Sequence, residues 1–371
     1  MQNPWLKKYM KVGFVNYPLQ YRNLKQEIDL AIENVLSRGD LILRKDVEDF
    51  EVNLASFVGA KYAVGVNSCS DALRFCLMAA GIGQEDEVIT VSHTFFATIE
   101  AIHHVGAKVV LIDVKEDFLM DSAKIEDKIT PKTKAIIPVH LNGKICEMDK
   151  IMEIAQKHNL IVIEDAAQAL GAEYQGRKAG SFGLASCFSF YPAKILGSIG
   201  DGGAVVTSSF EMAEKIKLLR NHGQKTKTEI VSYGFTSRLH NLQATVLNVK
   251  FKHLGEWIEK RREIAQIYNN GLGQINQVEV PPFSRFDVFQ NYVIKAQDRD
   301  KLQDFLLKKG VETLVKDPVP NHWHKKLNLS HFSLPCTEKL SELVISLPMY
   351  PELSQDQVNY VIKCVKEFYG V

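Results

Sequence analysis

The stretch Cys187-Phe-Ser-Phe-Tyr-Pro-Ala-Lys-Ile-Leu-Gly-Ser-Ile-Gly-Asp-Gly-Gly-Ala-Val-Val-Thr207 decides how this chain reads. Its first four residues suit a buried strand, and Pro192 ends that strand because it cannot donate to a sheet ladder. Gly197, Gly200, Gly202 and Gly203 then let backbone approach backbone, or a ligand, closely. Lys194 stands between the strand and the glycines. A lysine just past a buried strand is poorly solvated, which lowers its pKa. Such an amine can condense with an aldehyde. Upstream, the apolar strand Leu160-Ile-Val-Ile-Glu-Asp165 ends in a carboxylate. A condensing lysine and a buried aspartate are the pair that pyridoxal 5'-phosphate requires.

Composition narrows the classes. The chain has 371 residues, 46% of them hydrophobic, which suffices for a large core and for two or three domains. Its 45 basic and 44 acidic residues leave a net charge of +1. Nucleic acid and membrane surfaces are therefore poor partners for it. Six cysteines without a CxxC pair read as reduced thiols in a cytoplasmic protein, buried as small hydrophobes. Residues 1–8 lack a signal core, and no apolar run reaches the ~18 residues of a membrane span. No metal site is expected.

Outward from the opening stretch, strands alternate with helices. Strands are expected at 62–66, 87–91, 108–113, 134–140 and 160–165. Helices are expected at 72–80, 99–105, 122–129 and 148–158. Continuous apolar strands between amphipathic helices predict a mostly parallel sheet covered on both faces, an α/β fold. Ligands of such sheets sit beyond the carboxyl ends of the strands, where Ser68, His93, Thr94, His140, Asp165 and Gln168 fall. A helical stretch from about 239 to 269, interrupted near Gly255, leads to a smaller α/β unit with a strand at 291–296 and helices at 300–309 and 355–369. The boundary is placed near 250, giving a large domain, 1–250, and a small one, 251–371.

The site residues follow from the cofactor's needs. Asn67-Ser-Cys-Ser-Asp-Ala-Leu73 ends a strand and opens a helix, whose N-terminal amides and hydroxyls suit a phosphate. Ser70 as a plain helix cap is the competing reading. Ser189 is a second candidate donor. Asp165 can hold the ring nitrogen as a pyridinium, and Gln168 follows at i+3. Phe95 can stack on the ring, though a core aromatic is the commoner fate. His222, after a helix that Gly223 caps, and His322, in the Pro-rich loop Pro318-Val-Pro-Asn-His-Trp-His324, are candidate substrate contacts.

Glu164-Asp-Ala-Ala-Gln-Ala169, Phe188-Ser-Phe-Tyr-Pro-Ala-Lys194, Gly200-Asp-Gly-Gly-Ala-Val-Val206, Arg220-Asn-His-Gly223 and Pro138-Val-His-Leu141 together resemble the DegT/StrS family of sugar aminotransferases. The resemblance runs from roughly residue 12 to the C-terminus. It implies the type I aspartate-aminotransferase fold and a homodimer with active sites at the interface. It also implies transfer of an amino group, usually from glutamate, to a keto-sugar that commonly carries a nucleotide. Lys194 would then hold pyridoxal phosphate and Asp165 would meet its ring nitrogen. Gln168 and Ser189 would contact cofactor oxygens, Cys69 and Ser70 would form the phosphate turn, and Phe95 would stack. Three positions depart from the family. Cys69-Ser70 replaces Gly-Thr, and Asn142 replaces Tyr. Thr236 replaces an Asn that reaches across the dimer to the other subunit's phosphate. An unlinked keto-sugar acid as substrate, a sugar dehydratase on the same fold, and a non-catalytic regulatory protein stay open. The dehydratase branch replaces the lysine with His, against which Lys194 argues.

Overall fold

The computed structural model describes residues 9–371. The N-terminal run 1–8, read above as lacking a signal core, lies outside the described residues. Helices α1 (Tyr17–Arg38) and α2 (Lys45–Val58) lead into β1 (Tyr62–Val66), α3 (Cys69–Ala79), β2 (Glu87–Val91), α4 (Ala97–His104) and β3 (Lys108–Ile112). Next come β4 (Thr133–Ile136), α5 (Met148–Lys157) and β5 (Ile161–Asp165), then a short hairpin of β6 (Glu173–Tyr174) and β7 (Arg177–Lys178). β8 (Ala185–Ser189), β9 (Gly203–Thr207), α6 (Phe210–Arg220), α7 (Asn241–Phe251) and α8 (Leu254–Leu272) complete the larger part. The rest is β10 (Val278–Glu279), β11 (Tyr292–Ala296), α9 (Arg299–Lys308), α10 (Pro335–Leu343), β12 (Val344–Leu347) and α11 (Gln355–Tyr369).

The main sheet has seven strands in the order β1-β9-β8-β5-β4-β2-β3. Its pairs are parallel except those of β9, which runs against both β8 and β1. Successive residues of one strand face opposite layers. Val162, Phe188 and Val206 enter the core under α2, α5 and α7, whereas Ile163, Cys187 and Val205 enter the one under α3, α4 and α6. This explains why the strands read as continuous apolar runs. Because β9 is reversed, its first residue, Gly203, lies at the same edge as the last residues of β1, β5 and β8. The glycine-rich run is thereby drawn to the edge where the ligand site is expected.

Three local expectations need correction. The helix expected at 122–129 is two single turns, Ser122–Lys124 and Glu126–Lys128. Pro131 disfavours helical backbone at Thr130, which keeps the second turn from running on. The helical stretch from 239 breaks at Lys252–His253, between α7 and α8, while Gly255 sits inside the first turn of α8. At the end of α6 the first left-handed residue is His222 (φ 59°), and the Gly223 amide returns to the Leu218 carbonyl at 2.8 Å. Gly223 therefore stands one place beyond its expected role.

The second unit is a three-stranded sheet, β10-β11-β12, packed on α8, α9 and α11. Its core joins Val12 to Ile264, Tyr268, Tyr292, Val311 and Val361. Val12, far from these elements in sequence, bridges to Val311 and packs in the same core. α8 belongs to both parts: Leu254 and Ile258 enter a core of the large unit, and Ile264 to Leu272 enter the small one.

Candidate active site

A cavity of about 520 Å³ opens at the carboxyl edge of the main sheet, between the two units. Lys194, Asp165, Gln168, Ser189, Cys69, Ser70 and Phe95 line it. The residues proposed from sequence on four separate stretches, 69–70, 95, 165–168 and 189–194, therefore meet in one space.

Lys194 is held through its backbone. Its amide donates to the Tyr191 carbonyl at 2.8 Å. The side chain of Gln290 spans the residue from both sides, accepting from the Ile195 amide and donating to the Ala193 carbonyl, each at 2.9 Å. Gly197 closes the loop, since a Cβ there would stand 2.2 Å from the Pro192 carbonyl oxygen. Among the described residues no hydrogen bond or ion pair reaches Lys194 Nζ. Burial, then the nearby Lys316 ammonium, lowers its pKa to about 8. A neutral amine at that pH is a competent nucleophile.

Asp165 closes β5 and is nearly buried. Thr98 Oγ1 donates to one carboxylate oxygen at 2.7 Å and the Ala167 amide to the other at 3.2 Å. Gln168 Oε1 accepts from the Asn142 amide at 2.9 Å and from Asn291 Nδ2 at 3.2 Å. The donor is the Asn142 backbone amide, so this bond does not depend on the side chain at that position.

The turn before α3 is capped by Ser68, whose Oγ accepts from the Asp71 amide at 3.1 Å, so Ser70 is not the cap. Ser70 lines the cavity. Gly203 presses on this turn: a Cβ there would meet the Ser68 carbonyl carbon at 2.3 Å and the Cys69 nitrogen at 2.5 Å. Burial pushes the Cys69 thiol up, so Cys69 offers its backbone amide rather than a thiolate. Phe95 is 60% exposed, an aromatic face without a partner at the cavity wall.

His322 lies away from the cavity lining. It is fully buried, with Nδ1 paired to Ser92 Oγ at 2.8 Å and Nε2 to Glu338 at 3.2 Å. His222 also lies outside the cavity, its Nε2 bonded to Thr236 Oγ1 at 2.8 Å. Thr236 is exposed on the same loop and does not reach its own chain's cavity. Four contributors escaped the sequence reading. Thr98 stands one helical turn past Phe95, within reach of local reasoning. Gln290, Asn291 and Lys316 come from the small unit, and nothing local marks them.

The residues present fit pyridoxal phosphate. An unpartnered amine, an anchored carboxylate, a helix N-terminus with a free hydroxyl and an exposed aromatic face surround one cavity of suitable polarity. Among the described residues no helix is long and apolar enough to cross a membrane, and no group of His, Cys, Asp or Glu is arranged to hold a metal ion.

Comparison with known proteins gives the family. The model of the DegT/DnrJ/EryC1/StrS aminotransferase family matches residues 22–366. The chain is 42% identical to the "Pleiotropic regulatory protein" of Geobacillus stearothermophilus, over 97% of this chain and 99% of that one. It is 39% identical to the dTDP-3-amino-3,4,6-trideoxy-alpha-D-glucose transaminase of Streptomyces venezuelae, over 96% of each. Among solved structures, S. venezuelae DesV in complex with a ketimine intermediate matches with a TM-score of 0.94 and 38% identity, over 97% of this chain and 99% of that one. The chain belongs to the DegT/DnrJ/EryC1/StrS aminotransferase family, and its fold is the type I fold of those enzymes.

Proposed function

We infer that this chain transfers an amino group from L-glutamate to a keto-sugar linked to a nucleotide, with pyridoxal 5'-phosphate as cofactor, in aminosugar biosynthesis. The observation that carries this reading is Lys194: an unpartnered amine, its pKa lowered to about 8, in one cavity with the anchored carboxylate of Asp165. Bound there, pyridoxal phosphate supplies an electron sink for the carbon that carries the amino group.

The chain's own residues do the rest. Lys194 holds the cofactor covalently, then moves a proton to and from the reacting carbon as general base and acid. Asp165, kept in place by Thr98, holds the proton on the ring nitrogen. The amides and hydroxyl of the Ser68–Ser70 turn, with Ser189, bind and orient the phosphate. Gln168 would contact a cofactor oxygen, and Phe95 would stack on the ring. The Geobacillus relative's name speaks of regulation. Retention of Lys194 supports catalysis for this chain, and it speaks equally against the dehydratase reading.

A homodimer in the cytoplasm is part of the same proposal. Phe95, Tyr191 and Ile199 are more than half exposed and Tyr233 fully so, which suits cover by a second copy. Thr236 lies on that exposed loop and would reach the partner's phosphate turn through a short contact or a water. The test incubates purified protein with glutamate and a panel of dTDP- and UDP-keto-sugars. A mass gain of an amino group for oxo on a sugar nucleotide, with 2-oxoglutarate formed, is expected. Amination of free keto-sugar acids alone would overturn the nucleotide part.

A further inference from the structure

Lys316 is the second ammonium of the cavity, and the chemistry above gives it no role. It belongs to the segment that follows Val311. Leu314 is pinned there to Ser346 of β12 by reciprocal backbone hydrogen bonds of 3.1 and 2.8 Å. Alternation along this extended segment sends Leu314 and Lys316 to the cavity and Val315 into the small unit's core. Asp317 follows with left-handed backbone (φ 51°) and turns the chain away. The Lys316 head is therefore delivered to the cavity from the small unit, opposite Asp165 and Lys194 on the large one.

Among the described residues no hydrogen bond or ion pair reaches Lys316. Burial lowers its pKa, and the neighbouring Asp317 and, more weakly, Asp165 oppose that shift without an ion pair. Lys316 and Lys194 line the same cavity, and the Lys316 ammonium adds to burial in lowering the Lys194 pKa. The other acid that lines the cavity, Asp201, is exposed. Once Lys194 is joined to the cofactor and Asp165 faces the ring nitrogen, Lys316 is the cation without a counter-ion. A half-buried, unpaired ammonium is costly, and a ligand anion removes that cost.

We propose that Lys316 anchors the α-carboxylate of the amino-acid donor. The inference rests on the aminotransferase reading and adds the donor's binding site to it. The α-carboxylate is the anion attached directly to the reacting carbon. It is thus the substrate anion that must lie near Lys194, where Lys316 already is. A carboxylate at the far end of a sugar is separated from its reacting carbon by several bonds and would fall outside that reach.

The test uses the cofactor-loaded full chain and no sugar. Loss of the bound cofactor's near-visible absorbance is followed in a single turnover with L-glutamate, and in parallel with 4-aminobutyrate, which lacks an α-carboxylate. Lys316→Met should weaken apparent glutamate binding by about 10- to 100-fold, with a smaller fall in limiting rate, and leave 4-aminobutyrate binding unchanged. Lys316→Arg should restore most of the glutamate affinity. Equal losses for both donors, or glutamate binding unchanged in Lys316→Met, would overturn the assignment. So would a defect confined to acceptor sugars that bear a carboxylate. Wild-type protein that fails to respond to glutamate would instead sink the aminotransferase reading itself.

Discussion

The two walls of the cavity are built on different principles. The large unit's wall is fixed: both oxygens of Asp165 are held, Gln168 accepts two hydrogen bonds, and the backbone around Lys194 is bonded or packed on every side. The small unit's wall is mixed, with Gln290 gripping the lysine loop and Lys316 making no hydrogen bond or ion pair among the described residues. Groups that handle protons need a set position, because proton transfer tolerates little misplacement. Groups that select a substrate can wait for it. The difference separates a wall for chemistry from a wall for choice.

Removing the central amine tests that division most severely. Lys194→Ala should abolish covalent cofactor attachment and near-visible absorbance. Borohydride reduction of the wild type should label Lys194, and a label on Lys316 would exchange the roles of the two walls. In the cofactor-free wild type, attachment of added cofactor should accelerate as pH rises through about 8, because the neutral amine reacts and burial with Lys316 holds its pKa there. A midpoint near the ordinary lysine value of 10.5 would show the amine to be solvated.

Asp165→Asn comes next. It keeps an acceptor for Thr98 but loses the charge that holds the ring nitrogen's proton, so turnover should fall by about 100-fold or more. The thermal midpoint should stay within about 5 °C. Near wild-type turnover would remove Asp165 from the chemistry.

Gln290→Leu sharpens the comparison from the other side. It leaves the Ala193 carbonyl and the Ile195 amide without partners and loosens the lysine loop, so kcat should drop about 10-fold. Gln290→Glu retains the acceptor for Ile195 and should fall between. An unchanged kcat would make the grip of the small unit merely structural.

The smallest effect is expected at Thr236, which touches neither wall of its own chain. Thr236→Asn should be tolerated or tighten cofactor binding, and Thr236→Asp should weaken it by repelling the phosphate. Unchanged cofactor affinity in Thr236→Asp would remove that residue from the neighbour's site, and light scattering that finds a fully active monomer would remove the shared site altogether.

What could be read from the chain follows the same divide. The strands and the groups at their ends are local features: an apolar run, then a polar residue or glycine, seen within a few positions. Lys194, Asp165, Gln168 and the turn before α3 are all of that kind. The reversed direction of β9 is not, because a strand's sense depends on its neighbours. Gln290 lies 95 residues from Ile195, whose amide it receives, so no window contains both. His322 is hard to read locally for the opposite reason. A histidine in a Pro-rich loop suggests a ligand, but its partners Ser92 and Glu338 are supplied by distant segments that the loop's own sequence cannot reveal.

Helix α8, shared by both cores, bears on how substrates enter. Hinged enzymes place flexible, weakly packed residues between their moving bodies. Here the junction is a continuous 19-residue helix whose first turns are packed in one core and whose last turns are packed in the other. Swinging the small unit would bend that helix or strip one of its ends. The shared helix therefore opposes a clamshell motion of the two units, and a ligand meets the cavity through its standing mouth.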